Sequence, residues 1–263
     1  MRALICVFAT LFSLHVHAFD TPQEFEAFVS PPHRARGLPV PDKAQFDAIR
    51  RTGSAWAPAP AQAASQAMLA AARARDWDAV LARLKDGADP NVVDAQRRGG
   101  VLALAAADGR AELVRKLLAA GADPDRRGEA GFTPLGVAAL RGHAAVVRLL
   151  LRHGADPDKR GADGAPPLVN AVRLGHRHIV DTLLAAGADP SLPDKRGLHA
   201  LGMAAAGGDA GLVRAVLATG MNVDTPDGEG RTAYFWAGVY RHPAVRALLL
   251  AAGADATASV RVR

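Results

Sequence analysis

The sequence predicts an all-α fold built from about six repeated helix-turn-helix units. The triplet Gly-Ala-Asp recurs, and Gly220-Met221-Asn222 replaces it once. These triplets start at Gly87, Gly121, Gly154, Gly187, Gly220 and Gly253. The intervals are 34, 33, 33, 33 and 33 residues, and self-similarity at such a period is typical of repeat arrays. Aromatic residues make up only 5% of the chain, so closely approaching helices, rather than large rings, must form the core.

Residues 131–154 show best why one unit folds. Thr133 predicts a helix start because its hydroxyl can accept a backbone hydrogen bond, and Pro134 suits the first helical position, which needs no amide proton. Gly142-His143 predicts the turn into a second helix, which Gly154 ends because glycine adopts the left-handed conformation at little cost. Each helix has only two or three turns, so stacked neighbours must stabilise it.

These residues resemble the ankyrin repeat, whose Thr-Pro-Leu-His and Gly-Ala-Asp signatures match Thr133-Pro134-Leu135 and the recurring triplet. The resemblance implies an ankyrin-repeat solenoid of about six helix-turn-helix repeats joined by β-hairpin-like loops, over residues 61–255. The first and last repeats depart from the pattern. Arg75 stands where a turn glycine is usual, and Arg246 where an aliphatic residue is expected, so these repeats are predicted to be caps.

The regions outside the repeats predict export. Residues 1–18 have a charged start, a short apolar run and small residues before Ala18, which is typical of a secretory signal peptide cleaved after Ala18; a buried amino-terminal helix is the alternative. We therefore expect a periplasmic protein, with secretion as the second choice, and no membrane span in the mature chain. Residues 19–60 are rich in proline and form either an ordered cap or an extended leader, with partial order favoured. Residues 256–263 are predicted to be a flexible tail.

No pattern in the sequence indicates catalysis, so we predict a protein that is not an enzyme and uses no cofactor. The only cysteine, Cys6, lies in the predicted signal peptide, and neither a nucleophile elbow nor a phosphate-binding glycine loop occurs. His176 and His178 form a pair that nothing at ligand spacing completes as a metal site. Repeated Asp-Pro-Asp pieces suit either calcium or ordinary turns, and turns are favoured.

The resemblance implies a protein-binding surface, because ankyrin proteins usually bind through their concave face and hairpin tips. Carrying the family's variable positions onto this chain gives a set of predicted partner-binding residues. They are Arg97, Arg98, Arg127, Phe132, Leu140, Arg141, Arg160, Arg173, Leu174, Lys195, Arg196, Leu198, Arg231 and Tyr240.

Two features of this set suggest how a partner binds. Basic pairs recur at successive tips (Arg97-Arg98, Arg126-Arg127, Lys159-Arg160 and Lys195-Arg196), and they predict either a positive stripe for an acidic protein surface or merely soluble turns. Phe132, Leu140, Leu174, Leu198 and Tyr240 are apolar where the core does not require it, and they serve either as interface anchors or as packing between tips.

We expect a monomeric, non-enzymatic protein-binding module of the cell envelope. The alternatives are an inhibitor or immunity-type protein that blocks a toxin or hydrolase, and an accessory subunit of an enzyme. Nucleic acid is not the expected partner, because no stacking aromatic residues interleave with the arginines.

Overall fold

The computed structural model describes residues 60–94 and 99–258, and it divides the chain into two units, residues 1–101 and 102–263. Predictions for the signal peptide, for residues 19–59, for Arg97 and Arg98, and for residues 259–263 lie outside the described residues. In the first unit, α1 (Pro60–Arg73) packs on α2 (Trp77–Lys85) around Met68, Leu69 and Val80. Arg75 has a φ of 60° in the turn between them, which confirms that it takes the place of a turn glycine.

The pair α1 and α2 is the first repeat, and five more pairs, the second to sixth repeats, follow in the second unit, apart from Val101, the first residue of the next helix. The pairs are α3 (Val101–Ala107) with α4 (Ala111–Ala119), α5 (Pro134–Arg141) with α6 (Ala144–Arg152), α7 (Pro167–Arg173) with α8 (Arg177–Ala185), α9 (Ala200–Gly207) with α10 (Ala210–Leu217), and α11 (Ala233–Val239) with α12 (Pro243–Ala251). The first helices α5, α7, α9 and α11 pack in one layer, and the second helices α4, α6, α8, α10 and α12 pack in another. Their core is aliphatic, with Leu135, Leu150 and Leu183 fully buried. The predicted all-α repeat fold is confirmed.

The first helices begin at residues spaced 33 apart, as the repeat requires. The Thr133 hydroxyl accepts a hydrogen bond from Gly136 N–H at 3.0 Å, and that of Thr232 accepts one from Phe235 N–H at 3.4 Å. His199 occupies the same position between them and caps α9 with Nδ1, which accepts from Gly202 N–H at 3.3 Å. In the fourth repeat, Pro166 has this position and makes no such bond. One repeat position thus accepts several capping residues.

Histidines at the start of second helices connect successive repeats. The Nε2 atoms of His143, His176 and His242 donate to backbone carbonyls 36 residues earlier, at 3.0 to 3.3 Å. At the corresponding position of the fifth repeat, Asp209 instead caps its own helix α10 by accepting from Gly211 and Leu212 N–H. The structural role predicted for His143 and His176 is consistent with these bonds.

The loops that lead into the first helices, here called the tips, are hairpin-like without forming strands in residues 102–258. In each, the N–H of the first of five residues donates to the carbonyl of the fifth at 2.8 to 3.2 Å: Gly128 to Phe132, Gly161 to Ala165, Asp194 to Leu198 and Asp227 to Arg231. Among the described residues, no helix has the length and apolar character needed to cross a membrane.

Candidate functional site

The predicted basic stripe is partly used within the protein. Arg127 Nη2 donates to the carbonyl of Arg160 at 2.9 Å, and Arg160 Nη1 donates to the carbonyl of Pro193 at 2.6 Å. Lys195 Nζ donates to the carbonyl of Ala162. These three side chains therefore connect neighbouring tips, a role that the sequence did not predict.

The predicted apolar anchors fall into two groups. Phe132 is half-buried, and a Cβ added to Gly161 of the next tip would lie 3.0 Å from its ring, so Phe132 packs between tips. Leu140 is also half-buried, at the end of α5. In contrast, Leu174 is 53% exposed and Tyr240 is 54% exposed, and Val239 beside it is 51% exposed. The structure thus leaves Leu174 and Tyr240 available for contact.

A cavity of about 830 Å³ lies on the tips and first helices of the fourth, fifth and sixth repeats. We call it the tip cavity. Its lining residues are Asp163, Arg173, Asp194, Lys195, Arg196, Leu198, Met203, Ala206, Glu229, Arg231, Trp236 and Tyr240. The structure thereby brings together six of the fourteen predicted residues: Arg173, Lys195, Arg196, Leu198, Arg231 and Tyr240. The other described members, from Arg127 to Arg160 and including Leu174, do not line this cavity.

An aromatic and charged cluster forms one wall of the cavity. The Trp236 and Tyr240 rings stack with centroids 6.0 Å apart and an interplanar angle of 18°. The Arg231 guanidinium lies 4.3 Å from the centroid of Trp236, within cation–π range. Arg231 also pairs with Glu229 at 2.6 Å. These contacts hold Trp236 and Tyr240, both of which line the cavity, in a fixed arrangement.

Asp227 stabilises that cluster through four hydrogen bonds to its carboxylate. Its buried carboxylate accepts from Glu229 N–H and Arg231 N–H through Oδ1, both at 2.9 Å, and from Arg231 Nε and Trp236 Nε1 through Oδ2, at 2.9 and 3.0 Å. Burial acts to raise the pKa of Asp227, but these hydrogen bonds outweigh it, and the pKa is lowered. The carboxylate is therefore ionised at neutral pH.

Asp194 has the same position one repeat earlier and organises the middle of the cavity. Its Oδ1 accepts from Arg196 N–H and Leu198 N–H at 2.9 and 3.1 Å, and its Oδ2 lies 3.5 Å from Arg173 Nη2. The side chain of Leu198 covers the first turn of α9, because a Cβ added to Gly202 would lie 2.8 Å from it. The positions of Leu198 and Arg173 in the cavity thus depend on Asp194.

Sequence reasoning missed several cavity residues, chiefly Trp236, Met203, Asp194 and Glu229. Met203 and Trp236 are 33 residues apart and occupy the same position of the first helix. That column, followed back to Asn170 and Val137, would have indicated a shared face. Asp194 and Asp227 are likewise 33 residues apart, so the same comparison of repeats would have marked them as a pair, although it would not have shown the contacts of Asp227 with Arg231 and Trp236.

The Asp-Pro-Asp pieces form turns and links between repeats. Asp123 and Asp156 each accept the backbone N–H two residues later at 2.9 Å, the pattern of an Asx turn. Asp125 accepts from Asp156 N–H and Asp158 from Asp189 N–H, at 3.0 to 3.2 Å, and partial burial raises the pKa of both acceptor carboxyls. No group of three or more metal-ligating side chains occurs in the described part of the chain. The predicted turn role is confirmed by these bonds.

The comparisons with known proteins identify the repeats. The chain matches the family described as "Ankyrin repeats (3 copies)" over residues 67–161, 102–194 and 168–259. A search among curated proteins finds no relative. Ankyrin repeats indicate a protein–protein interaction module, and proteins built from them are generally not enzymes. Since the matched residues span most of its length, the chain belongs to the ankyrin-repeat family.

Proposed function

We propose that this chain binds a folded protein partner, without catalysis or cofactor, through the tip cavity and the exposed residues beside it. The observation that carries the proposal is that exposed Tyr240 lines the cavity, while exposed Leu174 and Val239 are the chain neighbours of the lining residues Arg173 and Tyr240, respectively. Leu174, Val239 and Tyr240 are three of the four large apolar residues that are exposed within the described residues. Apolar and aromatic anchors within a charged rim are typical of interface centres.

The energetics of the cavity wall favour such a role. Trp236 and Tyr240 lose little conformational freedom on binding, because Asp227 and Arg231 already hold Trp236 in place and Tyr240 stacks on it. A pre-ordered surface binds more tightly for the same contact area, since less side-chain entropy is lost. The repeats thus offer a rigid surface that a partner fits by shape.

The proposed place of action is the periplasm, with secretion as the second choice, and the proposed state is a monomer. The support for export is the sequence of residues 1–18. Cell fractionation, with amino-terminal sequencing of the recovered protein, tests it: a chain that begins at Phe19 in the envelope fraction is expected. Intact Met1 in the cytoplasm would contradict export.

Site-specific photo-crosslinking in the source cell tests the binding proposal. A photoreactive phenylalanine analogue at Tyr240 is expected to trap one protein partner. The same analogue at Arg214, an exposed residue of second helix α10, serves as the matched control and is expected to trap none. Equal trapping at both positions, or none at either, would contradict binding through the tip cavity.

The identity of the trapped protein distinguishes the possible roles. If it is a toxin or hydrolase whose activity falls on one-to-one binding, the chain is an inhibitor or immunity-type protein. Arg196→Glu is the preferred charge variant for this work. Arg127 and Arg160 are unsuitable, because reversing their charge would also break the bonds between tips.

A further inference from the structure

We propose that the tip cavity receives a bulky apolar side chain of the partner that lies beside a carboxylate. This inference rests on the proposed function and specifies the chemistry of the partner's contact segment. It has an apolar part and a charged part, each with its own residues. The volume of about 830 Å³ is within the range of pockets that hold a drug-sized ligand, which is ample for one bulky side chain.

The apolar part adjoins the cavity at the end of α9, where Ala206 lines the cavity and Gly207 follows it in the chain. Leu174, Gly207 and Tyr240 occupy the same position of three successive repeats, spaced 33 residues apart. Leu174 and Tyr240 are exposed, whereas Gly207 and the adjacent cavity residue Ala206 have little or no side chain. The surface at Gly207 is therefore a depression between the exposed side chains of Leu174 and Tyr240.

The fold itself does not require glycine at this depression. Gly207 is the last residue of α9 and has ordinary helical backbone, and a Cβ added to it meets no atom within 4 Å. Glycine weakens a helix relative to alanine, so the residue is unfavourable for stability here. Room for an incoming side chain accounts for it.

The charged part is Arg196. Arg173 faces Asp194, and Arg231 faces Asp227 and Glu229, so both of these arginines have carboxylate partners. The exposed side chain of Arg196 forms no hydrogen bond or ion pair within the described residues, although its backbone N–H donates to Asp194. A guanidinium presents a planar fork of donors that fits a carboxylate in two parallel bonds. An Asp or Glu side chain of the partner is the group that complements it.

Selection from a library of random linear peptides displayed on phage tests this chemistry on the full chain. Peptides that pair Asp or Glu with a neighbouring Phe, Trp, Tyr or Leu are expected to be enriched on the unmodified chain. Enrichment of basic peptides, or of no common pattern, would overturn the inference.

Two variants separate the parts of the site. Gly207→Leu fills the depression and is expected to reduce capture of the enriched peptides about tenfold or more. The melting temperature of this variant should be unchanged or higher. Ala145→Leu, at an exposed residue of second helix α6, is the matched control and should capture them normally. Arg196→Glu is expected to replace the acidic preference with a basic one. Unchanged peptide capture by Gly207→Leu would overturn the apolar part of the inference. An unchanged acidic preference of Arg196→Glu would overturn the charged part.

The crosslinking experiment distinguishes failure of this inference from failure of the proposed function. A partner trapped at Tyr240, together with peptides that lack the acidic and apolar pair, leaves the binding function standing and rejects the inferred chemistry. If no partner is trapped and no peptide is enriched, both are rejected.

Discussion

The tips of the third and fourth repeats differ from those of the fifth and sixth in the residue at which their shared backbone bond starts. All four tips have the same backbone bond, but it starts at Gly128 and Gly161 in the first two and at Asp194 and Asp227 in the other two. In the fourth repeat, a Cβ added to Gly161 would lie 2.9 Å from Asp163 Oδ1 and 3.0 Å from the Phe132 ring of the preceding tip, so this position is tightly packed. In the fifth and sixth, a buried carboxylate holds an arginine in the cavity wall. The backbone bond is thus common to the four tips, and in the fifth and sixth the aspartate at its first position organises the cavity wall.

The largest expected effect comes from removing the carboxylate of the sixth repeat. Asp227→Ala leaves Trp236 Nε1 and the two N–H groups of the tip without their acceptor, and we expect a loss of about 2 to 4 kcal/mol in the free energy of unfolding. Chemical denaturation measures it. Asp163→Ala is the control, because this half-exposed carboxylate accepts only from Ala165 N–H among the residues that the structure describes, and a loss of about 1 kcal/mol is expected. Equal losses would show that the two kinds of tip do not differ in energy.

A second comparison concerns the turns between the paired helices. Gly142 and Gly175 both have positive φ, at 80° and 71°, so alanine is strained at either position by about 1 to 2 kcal/mol. A Cβ on Gly142 would also lie 2.8 Å from the His176 ring, whereas one on Gly175 meets no atom within 4 Å, since Asp209 replaces the next histidine. We expect Gly142→Ala to cost about 1 to 3 kcal/mol more than Gly175→Ala in denaturation experiments. The reverse order would contradict the role given to His176.

The third comparison is within the first helices. Val137 and Asn170 occupy the same position, but Asn170 is fully buried, and both polar atoms of its amide are without a hydrogen-bond partner within the described residues. Asn170→Val is therefore expected to stabilise the protein by about 1 to 2 kcal/mol. A higher melting temperature would confirm it, and Asn170→Asp should lower that temperature because it buries a charge. A less stable Asn170→Val variant would mean that the amide has a partner.

The smallest expected effect concerns the caps of the first helices. His199 must be neutral to accept from Gly202 with Nδ1 while Nε2 donates to Thr225 O at 3.0 Å. Burial lowers its pKa below the ordinary value near 6.5, although the bond to Thr225 and the charge of Asp227 oppose this. Because the unfolded chain then takes up the proton first, the stability that neutral His199 contributes is complete above pH 6.5 and decreases as the pH falls below it.

His199→Thr tests that pH dependence, because threonine caps α5 and α11 at the same position. As the pH falls below 6.5, the free energy of unfolding should decrease more for the original chain than for the variant. A difference in this free energy that is constant with pH would contradict the neutral cap.

Much of the fold could be predicted because its signals are local. Thr133, Pro134 and Gly142 act on atoms within a few residues, and Arg75 adopts the left-handed turn predicted from the glycine that it replaces. The predicted site was less complete. Arg173 and Arg231 do line the cavity, yet Trp236 was missed, and the bonds of Arg127 and Arg160 to other tips were not foreseen.

The sequence by itself determined the period, the helix ends and the family, because each depends on residues within one repeat and recurs every 33 positions. Only the tertiary structure decided which side chains share the tip cavity. Its walls come from three repeats, and residues 33 or 66 positions apart become neighbours only when the helix pairs stack. The long side chains at the tips can turn either toward a carbonyl, as Arg160 does, or toward the cavity, as Arg196 does, and that choice depends on the groups within reach in the stacked protein.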